Sequence, residues 1–434
     1  MGATLQLYRV LSPAVAALVP LAAPWHRKLA AGVAGRRGLA QRLAAAAPGL
    51  QGCVWFHAAS VGEFMQGVPL IHGLRDALGV AMPPVAATHF SPSGYEFARR
   101  HPCADLHEYL PLDTPQAMTR LVTAWRPRLL VFMSGDVWPN LVLAAHRERV
   151  PLVLMAGSLP PDSARLRGPG RALYRDLFDR FAHLGVVADA DRKRFRDGLG
   201  VRAPVSVTGN TRVEQVIARF EASAGGEVSA RLSRLGGRRL VLGSTWPPDE
   251  RLWLPVLPEL CRRIPDLRVI LCPHEPHPEH LTRLADRLAA TGLRSTRLSA
   301  LLAAPTDDPT VSTSTTVGVL AEIYRAGQLA HVGGAFTTGV HNTLEPAVAG
   351  LPVIFGPRIQ NAPEAAELVA RGAAWICREP GEVLARATAL FADPAALAAA
   401  SAAARRTVLD QRGALERSLA VLLPLVRRVN ADDT

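Results

Sequence analysis

Short apolar runs alternate with charged, Ala- or Leu-rich stretches of helical length along nearly the whole chain. The runs VWFHAA, PPVAATH, RLLVFMSG, PLVLMAGS, HLGVVAD and VSVTGN mark the first half. The pattern restarts at RRLVLGST and continues through LRVILCPHE, VGVLAEIY, LAHVGGAF, LPVIFGP and AAWICRE. Runs this short and this continuously apolar suit strands buried on both faces, and the stretches between them suit the covering helices. Their alternation predicts the α/β class, with parallel sheets covered on both sides. Two consecutive copies predict two doubly wound domains, residues 31–215 and 216–410, joined near ARFEASAGGEVSARLSRLGGRR. A leading segment, residues 1–30, and a C-terminal helix and tail, residues 411–434, complete the expected organisation.

The leading segment departs from this pattern. Residues 10–24, VLSPAVAALVPLAAP, carry no charge. These 15 residues include Pro13, Pro20 and Pro24, and they fall short of the roughly 20 that span a bilayer comfortably. Arg27, Lys28, Arg36 and Arg37 follow at once. Apolar insertion beside attraction to anionic lipid predicts an anchor on the cytoplasmic surface of a membrane. The alternative is an ordinary first helix packed on its domain.

Hydrophobic residues make up 49% of the 434 and charged ones 20%, enough to bury sizeable cores. The formal charge of +12 favours a negatively charged partner: nucleic acid, an anionic membrane or a phosphorylated substrate. Aromatics are only 6% and sit mostly inside apolar runs, so the basic stripe with exposed aromatics that binds nucleic acid is missing. No nucleic-acid partner is expected. Five scattered cysteines without a C-x-x-C pair read as reduced thiols, which places the soluble bulk in the cytoplasm.

Glycine, proline and polar residues gather just after the runs, where open α/β sheets bind their ligands. If the two domains face each other, these rims line a central cleft. In HAASVGEF, Ser60 and Glu63 stand three apart, the spacing of a capping box in which the glutamate folds back onto the serine N–H. The competing role aims the Glu63 carboxylate at a ligand. THFSPSGYE carries Ser91, Ser93 and Gly94 around Pro92, a helix start with amides open to an anion. In GSTWPPDE, Ser244 and Thr245 are expected to cap a helix whose first turn holds Pro247 and Pro248.

GGAFTTGVHNTLEP is the richest of these segments. Gly333, Gly334 and Gly339 allow close backbone approach, and Asn342 can cap a helix beginning near Leu344 and expose amides to a phosphate. Asn342 and Glu345 are again three apart, so a plain cap fits as well. The segment is neither a Walker loop nor a dinucleotide fingerprint. CPHEPHPEH crowds His274, Glu275, His277, Glu279 and His280 together, but Pro276 and Pro278 interrupt any helix and the H-E-x-x-H spacing of zinc peptidases is absent. No metal and no cofactor are expected; His274 remains a phosphate donor. The lack of a G-x-S-x-G elbow argues against a serine hydrolase.

In order, AGVAGRRGLAQRL, HAASVGEF, THFSPSGYE, the WPN of SGDVWPN, TGNTR, GSTWPPDE, VGGAFTTGVHNTLEPAVAGLPVIFGP and the following Asn361 resemble the Kdo transferases of lipopolysaccharide assembly. The resemblance covers nearly the whole chain. It implies the GT-B architecture of two Rossmann-like domains, a CMP-Kdo donor, a lipid A precursor as acceptor, and metal-independent inversion at the anomeric carbon. It implies Glu63 as general base, and a CMP site around His341, Asn342 and Glu345 beside Gly333 and Gly334. Ser244, Thr245, His274 and Arg212 would then surround the phosphate. Arg212 stands where the family more often has Lys. Ser134, Gly135 and Asp136 stand where many members have Glu-Thr-Glu, so Asp136 is a shortened second acid. Another GT-B enzyme using a UDP- or GDP-sugar, or a non-catalytic membrane-bound relative, is the alternative.

Overall fold

The computed structural model describes residues 2–303, 310–316 and 318–428. The chain forms two compact units, one of residues 1–214 with 413–434 and the other of residues 215–412. Each contains one seven-stranded sheet. In the N-terminal unit the strands are β1 (Val54–Ala58), β2 (Val85–His89), β3 (Leu106–Tyr109), β4 (Leu129–Met133), β5 (Leu152–Gly157), β6 (His183–Val186) and β7 (Val205–Val207). They lie in the order 3-2-1-4-5-6-7, every pair parallel. The strand order therefore reverses between β1 and β4. Every residue of β1, β2, β4 and β5 is buried, as expected of strands covered by helices on both faces.

The second unit repeats the plan. Its strands are β8 (Arg238–Thr245), β9 (Leu267–Pro273), β10 (Ser295–Arg297), β11 (Val311–Thr313), β12 (Leu329–Val332), β13 (Val353–Phe355) and β14 (Ala374–Ile376). They run parallel in the order 10-11-9-8-12-13-14, so this sheet reverses between β8 and β12. Both sheets have the open doubly wound plan expected from the sequence.

Three strands and one helix differ from the sequence reading. The short strands β3 and β10, at sheet edges, and β11, next to β10, carry too few apolar residues to signal themselves, as in STR and VST. In VGVLAEIY, Leu320–Ala326 is a helix instead of a strand, with Ile323 and Tyr324 buried and Glu322 and Arg325 turned to polar surroundings. Val317, at the start of that run, lies outside the described residues, as do residues 429–434 of the tail.

The boundary between units falls within the helix Arg212–Ala222, ahead of the Gly-rich stretch. The C-terminal helix Ala414–Arg427 returns to the N-terminal unit. Glu214 accepts the amides of Gly413 and Ala414 at its start, at 2.7 and 3.1 Å. Gly73 makes the packing possible: a Cβ there would lie 2.8 Å from Leu419.

The first helices are α1 (Ala3–Ala22), α2 (Arg27–Gly35) and α3 (Leu39–Ala46). With Trp25, α1 is long and apolar enough to cross a membrane. One of its faces is tied to the unit by polar bonds. Tyr8 donates to Asp113 at 3.0 Å, and the Asn140 amide donates to Ser12 Oγ at 2.9 Å and to the Asp113 carbonyl at 2.7 Å. The opposite face exposes Leu7, Val10, Leu11, Val15, Leu18 and Leu21, spaced three and four apart along one stripe. The Asn140 of WPN is thus a buried dock for the leading helix. Replacing Asn140 by Ala strands the Asp113 carbonyl and Ser12, and the expected cost is about 2 kcal/mol. Urea unfolding with limited proteolysis near residue 12 measures it; an unchanged midpoint and unchanged cleavage would contradict the docking role.

Candidate functional site

In the N-terminal unit the functional side chains come from loops at the C-terminal ends of strands. Helix α4 (Val61–Leu78) starts directly after β1 with Ser60 as N-cap, its Oγ accepting the Glu63 amide at a long 3.4 Å. Glu63 Oε2 accepts the amide of Ala59 at 2.5 Å. The side chain is therefore turned back, as the capping spacing predicts, but onto the residue before the cap. Burial and the nearby Asp136 charge push the Glu63 carboxyl up to about 8, against the opposing pull of the Ala59 and Ser60 amides and Arg165. An ionised carboxylate offers about four lone-pair sites, so accepting two amides leaves capacity for a further proton donor. Capping and proton transfer are not exclusive on this count.

The SPSG loop abuts this turn. Ser91 caps α5 (Pro92–Arg100), its Oγ accepting the Gly94 amide at 3.0 Å and lying 3.4 Å from Ser93 Oγ, and its own amide donates to the Ala59 carbonyl at 3.0 Å. A Cβ on Gly94 would come within 2.9 Å of Ser91 Oγ and 3.4 Å of the Ser60 carbonyl carbon, so glycine lets the two loops touch. Across the switch point, Ser134 follows β4 in left-handed backbone, φ +63°. Its Oγ donates to Gln66 Oε1 at 2.6 Å, and Gln66 Nε2 donates to Asn210 at 3.3 Å. Thr211 donates to the Gln66 carbonyl. Gln66, one turn along α4 from Glu63, thus links SGDVWPN and TGNTR.

Asp136 is exposed and pairs with Arg165 at 2.9 Å; Arg165 also donates to the Gly135 carbonyl. Below the turn, buried His57 accepts from Trp138 Nε1 at 2.8 Å, so its Nδ1 carries the proton towards Thr88 Oγ1, 2.9 Å away. Burial holds the His57 imidazole down at about 3, so it stays neutral. Arg212 also belongs to this unit, at the start of its helix, half-buried with Nε unpartnered among the described residues.

The second unit brings most of the other predicted residues to its own switch point. Ser244 and Thr245 do not cap the following helix. They end β8, Ser244 in left-handed backbone at φ +50°, and the cap is Trp246, whose amide donates to Asp249 at 2.9 Å. Buried Asp249 also accepts the Gly334 amide at 3.1 Å and faces His331 at 3.2 Å. Burial alone would raise its carboxyl, but the hydrogen bonds from His331 and the two amides hold it below the usual range. Gly333 packs where a Cβ would lie 2.2 Å from the Ser244 carbonyl oxygen, and Gly334, at φ +95°, where it would lie 2.5 Å from the Gly339 oxygen. Neither position accepts a side chain.

Asn361 closes the glycine loop by donating to the Val340 carbonyl at 2.8 Å. His341 and His274 stack with ring centroids 4.2 Å apart, and Trp246 Nε1 donates to His341 Nε2 at 2.7 Å. Burial lowers both imidazoles, His341 to about 4 with His274 adding to the effect. Asn342 Oδ1 accepts the Leu344 amide at 3.2 Å, two residues on, but the N-cap of the helix Leu344–Val348 is Thr343, so Asn342 is not the cap its spacing to Glu345 suggests. Glu345 is paired with Arg219 at 3.2 Å. The remaining histidines of CPHEPHPEH disperse: His280 meets buried Glu250 at 2.6 Å, which also holds Arg287, and His277 pairs with Glu275. No group of three or more potential ligands converges among the described residues.

Three residues were missed by sequence reasoning. Gln66 and Arg165 act on partners far along the chain, and nothing local marks them. Asp249 had a signal, since an acid three residues after Trp246 completes a capping box.

The family model for 3-deoxy-D-manno-octulosonic-acid transferase (kdotransferase) matches residues 33–215. The 3-deoxy-D-manno-octulosonic acid transferase of Bordetella pertussis is 31% identical over 402 residues, 89% of this chain and 90% of that protein. The enzyme of that name from Chlamydophila psittaci is 30% identical over 80% of this chain and 79% of its own length. Among solved structures, the UDP-GlcNAc 2-epimerase of Neisseria meningitidis bound to UDP-GlcNAc superposes with a TM-score of 0.61 at 14% identity, covering 86% of this chain and 99% of that one. That likeness bears on the fold alone.

The Glu63 environment makes a prediction about stability. The folded carboxyl titrates near 8 against an ordinary 4.5, so between these values the folded state binds more protons than the unfolded state. Stability therefore declines as pH rises through that window. Glu63→Gln keeps the cap and removes the titration. Its unfolding free energy, measured from pH 5 to 9, should decline less than that of the parent; parallel curves would contradict the raised carboxyl.

Proposed function

The chain belongs to the 3-deoxy-D-manno-octulosonic acid transferase family and is a glycosyltransferase of GT-B fold, and from that premise we propose that it transfers Kdo from CMP-Kdo to a phosphorylated, acylated lipid A precursor. The observation that carries the mechanism is the position of Glu63. It follows β1 at the reversal of strand order, with its carboxyl pushed up to about 8. A base that titrates close to working pH balances the fraction ionised against proton affinity.

In this reading the acceptor hydroxyl gives its proton to Glu63 while its oxygen bonds to the anomeric carbon of Kdo from the face opposite CMP. The bond from that carbon to the phosphate oxygen breaks, and its electron pair leaves with CMP. The carboxylate reaches the hydroxyl with lone pairs not used by the Ala59 and Ser60 amides. The glycine loop, Asn342 and Glu345 are the proposed CMP site, and Ser244 with the His274–His341 stack the proposed phosphate neighbours. Both histidines are neutral at pH 7, so they would act as hydrogen-bond donors rather than as positive charges. Thr245 is buried at the end of β8, its hydroxyl unpartnered among the described residues. Arg212 is a further proposed source of positive charge for the phosphate. The apolar stripe of α1 and the basic residues after it are the proposed contact with the inner-membrane surface.

Two outcomes test this. Glu63→Gln should lower transfer by about a hundredfold or more, within the 10²–10⁴ range of general-base catalysis, with CMP binding unchanged in calorimetry; full turnover would defeat the base. Asp136 raises the Glu63 pKa, so Asp136→Asn should move the rising limb of the pH–rate profile to lower pH. An unmoved limb, or one moved to higher pH, would contradict the coupling.

A further inference from the structure

Beneath α1 and α2 the N-terminal unit contains a cavity of about 1150 Å³, at the large end of ligand pockets, which run from about 300 to 1,000 Å³. Its walls are apolar: Val19 and Pro20 of α1, Leu29 and Val33 of α2, Leu43 of α3, and Leu121 from the helix Pro115–Trp125. Phe90, Ser91 and Pro92 also line it, in the loop whose Gly94 touches the Ser60 turn. Arg36 makes a rigid part of the wall. It donates to the carbonyls of Leu110, Gly32 and Phe90 at 2.8 to 3.0 Å, and its guanidinium lies 4.8 Å from the ring centroids of Phe90 and Tyr109.

Three exposed basic side chains, Lys28, Arg37 and Arg120, also border the cavity, and no acidic side chain lines it among the described residues. Beside Val19 and Pro20 runs the exposed apolar stripe of α1, ending at Trp25, which is 84% exposed. An apolar chamber with a basic border, opening beside an apolar stripe, is complementary to an aliphatic chain that carries an anionic headgroup. The lining includes Ser91, whose amide donates to the Ala59 carbonyl just before the Ser60 turn, a place a bulk membrane lipid has no need to approach.

Resting on the acceptor reading above, we propose that this cavity holds an acyl chain of the acceptor lipid itself, drawn from the membrane, with the anionic headgroup against Lys28, Arg37 and Arg120. Burying the chain here fixes the sugar hydroxyl at the Ser91 and Ser60 loops. Acyl binding would then be spent on orientation, and a deacylated acceptor would be handled poorly.

The test uses the full chain with two variants that narrow the cavity from different walls, Ala40→Trp and Ala117→Trp, both at lining positions. The parent enzyme should prefer the acylated acceptor over its deacylated analogue. Each variant should shrink that preference by about tenfold, the effect of a couple of buried methylenes, with the change in KM for the acylated acceptor. Parinaric acid, a fluorescent long-chain fatty acid, should bind the parent, be displaced by the acylated acceptor, and bind the variants weakly. An unchanged preference in both variants, or absence of parinaric acid binding to the parent, overturns the proposal. Displacement by phosphatidylglycerol as effective as by acceptor also overturns it, assigning the cavity to bulk lipid. Transfer by the parent to neither acceptor would defeat the Kdo-transfer reading instead, with probe binding and its displacement by acceptor still deciding the cavity.

Discussion

The reversal of strand order is the constraint on which both units depend. A right-handed crossover sends helices to one face of the sheet on one side of the first strand and to the other face on the other side. The loops after β1 and β4 are therefore left apart at their C-terminal ends, as are those after β8 and β12, and a crevice opens where no helix can cover it. Glu63 and Asp136 belong to the first crevice, and Ser244 and Gly333 to the second. At both places a serine takes left-handed backbone just as the strand ends, Ser134 at φ +63° and Ser244 at φ +50°. Non-glycine residues in this region cost on the order of 1 kcal/mol or more and persist where their surroundings over-determine them. Here Gln66 holds Ser134, and the close approach of Gly333 fixes the Ser244 carbonyl.

Around Glu63 the effects that raise its carboxyl outweigh those that lower it, and the group titrates at about 8. Burial and Asp136 favour the protonated form, while two amides and Arg165 favour the ionised one. Arg165 acts twice, because its pairing with Asp136 also tempers the charge that raises Glu63. At the end of β4 this chain carries Ser134, Gly135 and Asp136. The serine gives a hydrogen bond to Gln66, and Asp136 reaches the field of Glu63.

Much of this architecture was legible in the sequence, because long central strands buried on both faces must be continuously apolar, as VWFHAA and RLLVFMSG are. Strands of only three or four residues at or next to a sheet edge show no such run, so STR and VST were silent, and VGVLAEIY showed a helix's apolar face as if it were a strand. The site was legible where a loop residue serves its own helix: Ser60 and Ser91 cap as their sequence context predicts. It was illegible where the partner is distant. Ser244 and Thr245 yielded the cap to Trp246, whose amide Asp249 accepts. Asn140, inside a motif at the strand ends, holds α1 through Ser12, 128 residues earlier. The return of the C-terminal helix to the first unit rests on Glu214 and Gly73, whose partners lie far along the chain.

The account turns on whether Glu63 changes its charge in the pH range where transfer would need a base. Carbon-13 labelling of the glutamate carboxyls, with Glu63 assigned by its absence in the Glu63→Gln protein, measures this directly by NMR in the full chain. The account predicts that the Glu63 resonance titrates near 8 and that the rate of transfer rises with the same midpoint. A Glu63 resonance that titrates near the ordinary 4.5, with the rate rising elsewhere, would contradict it.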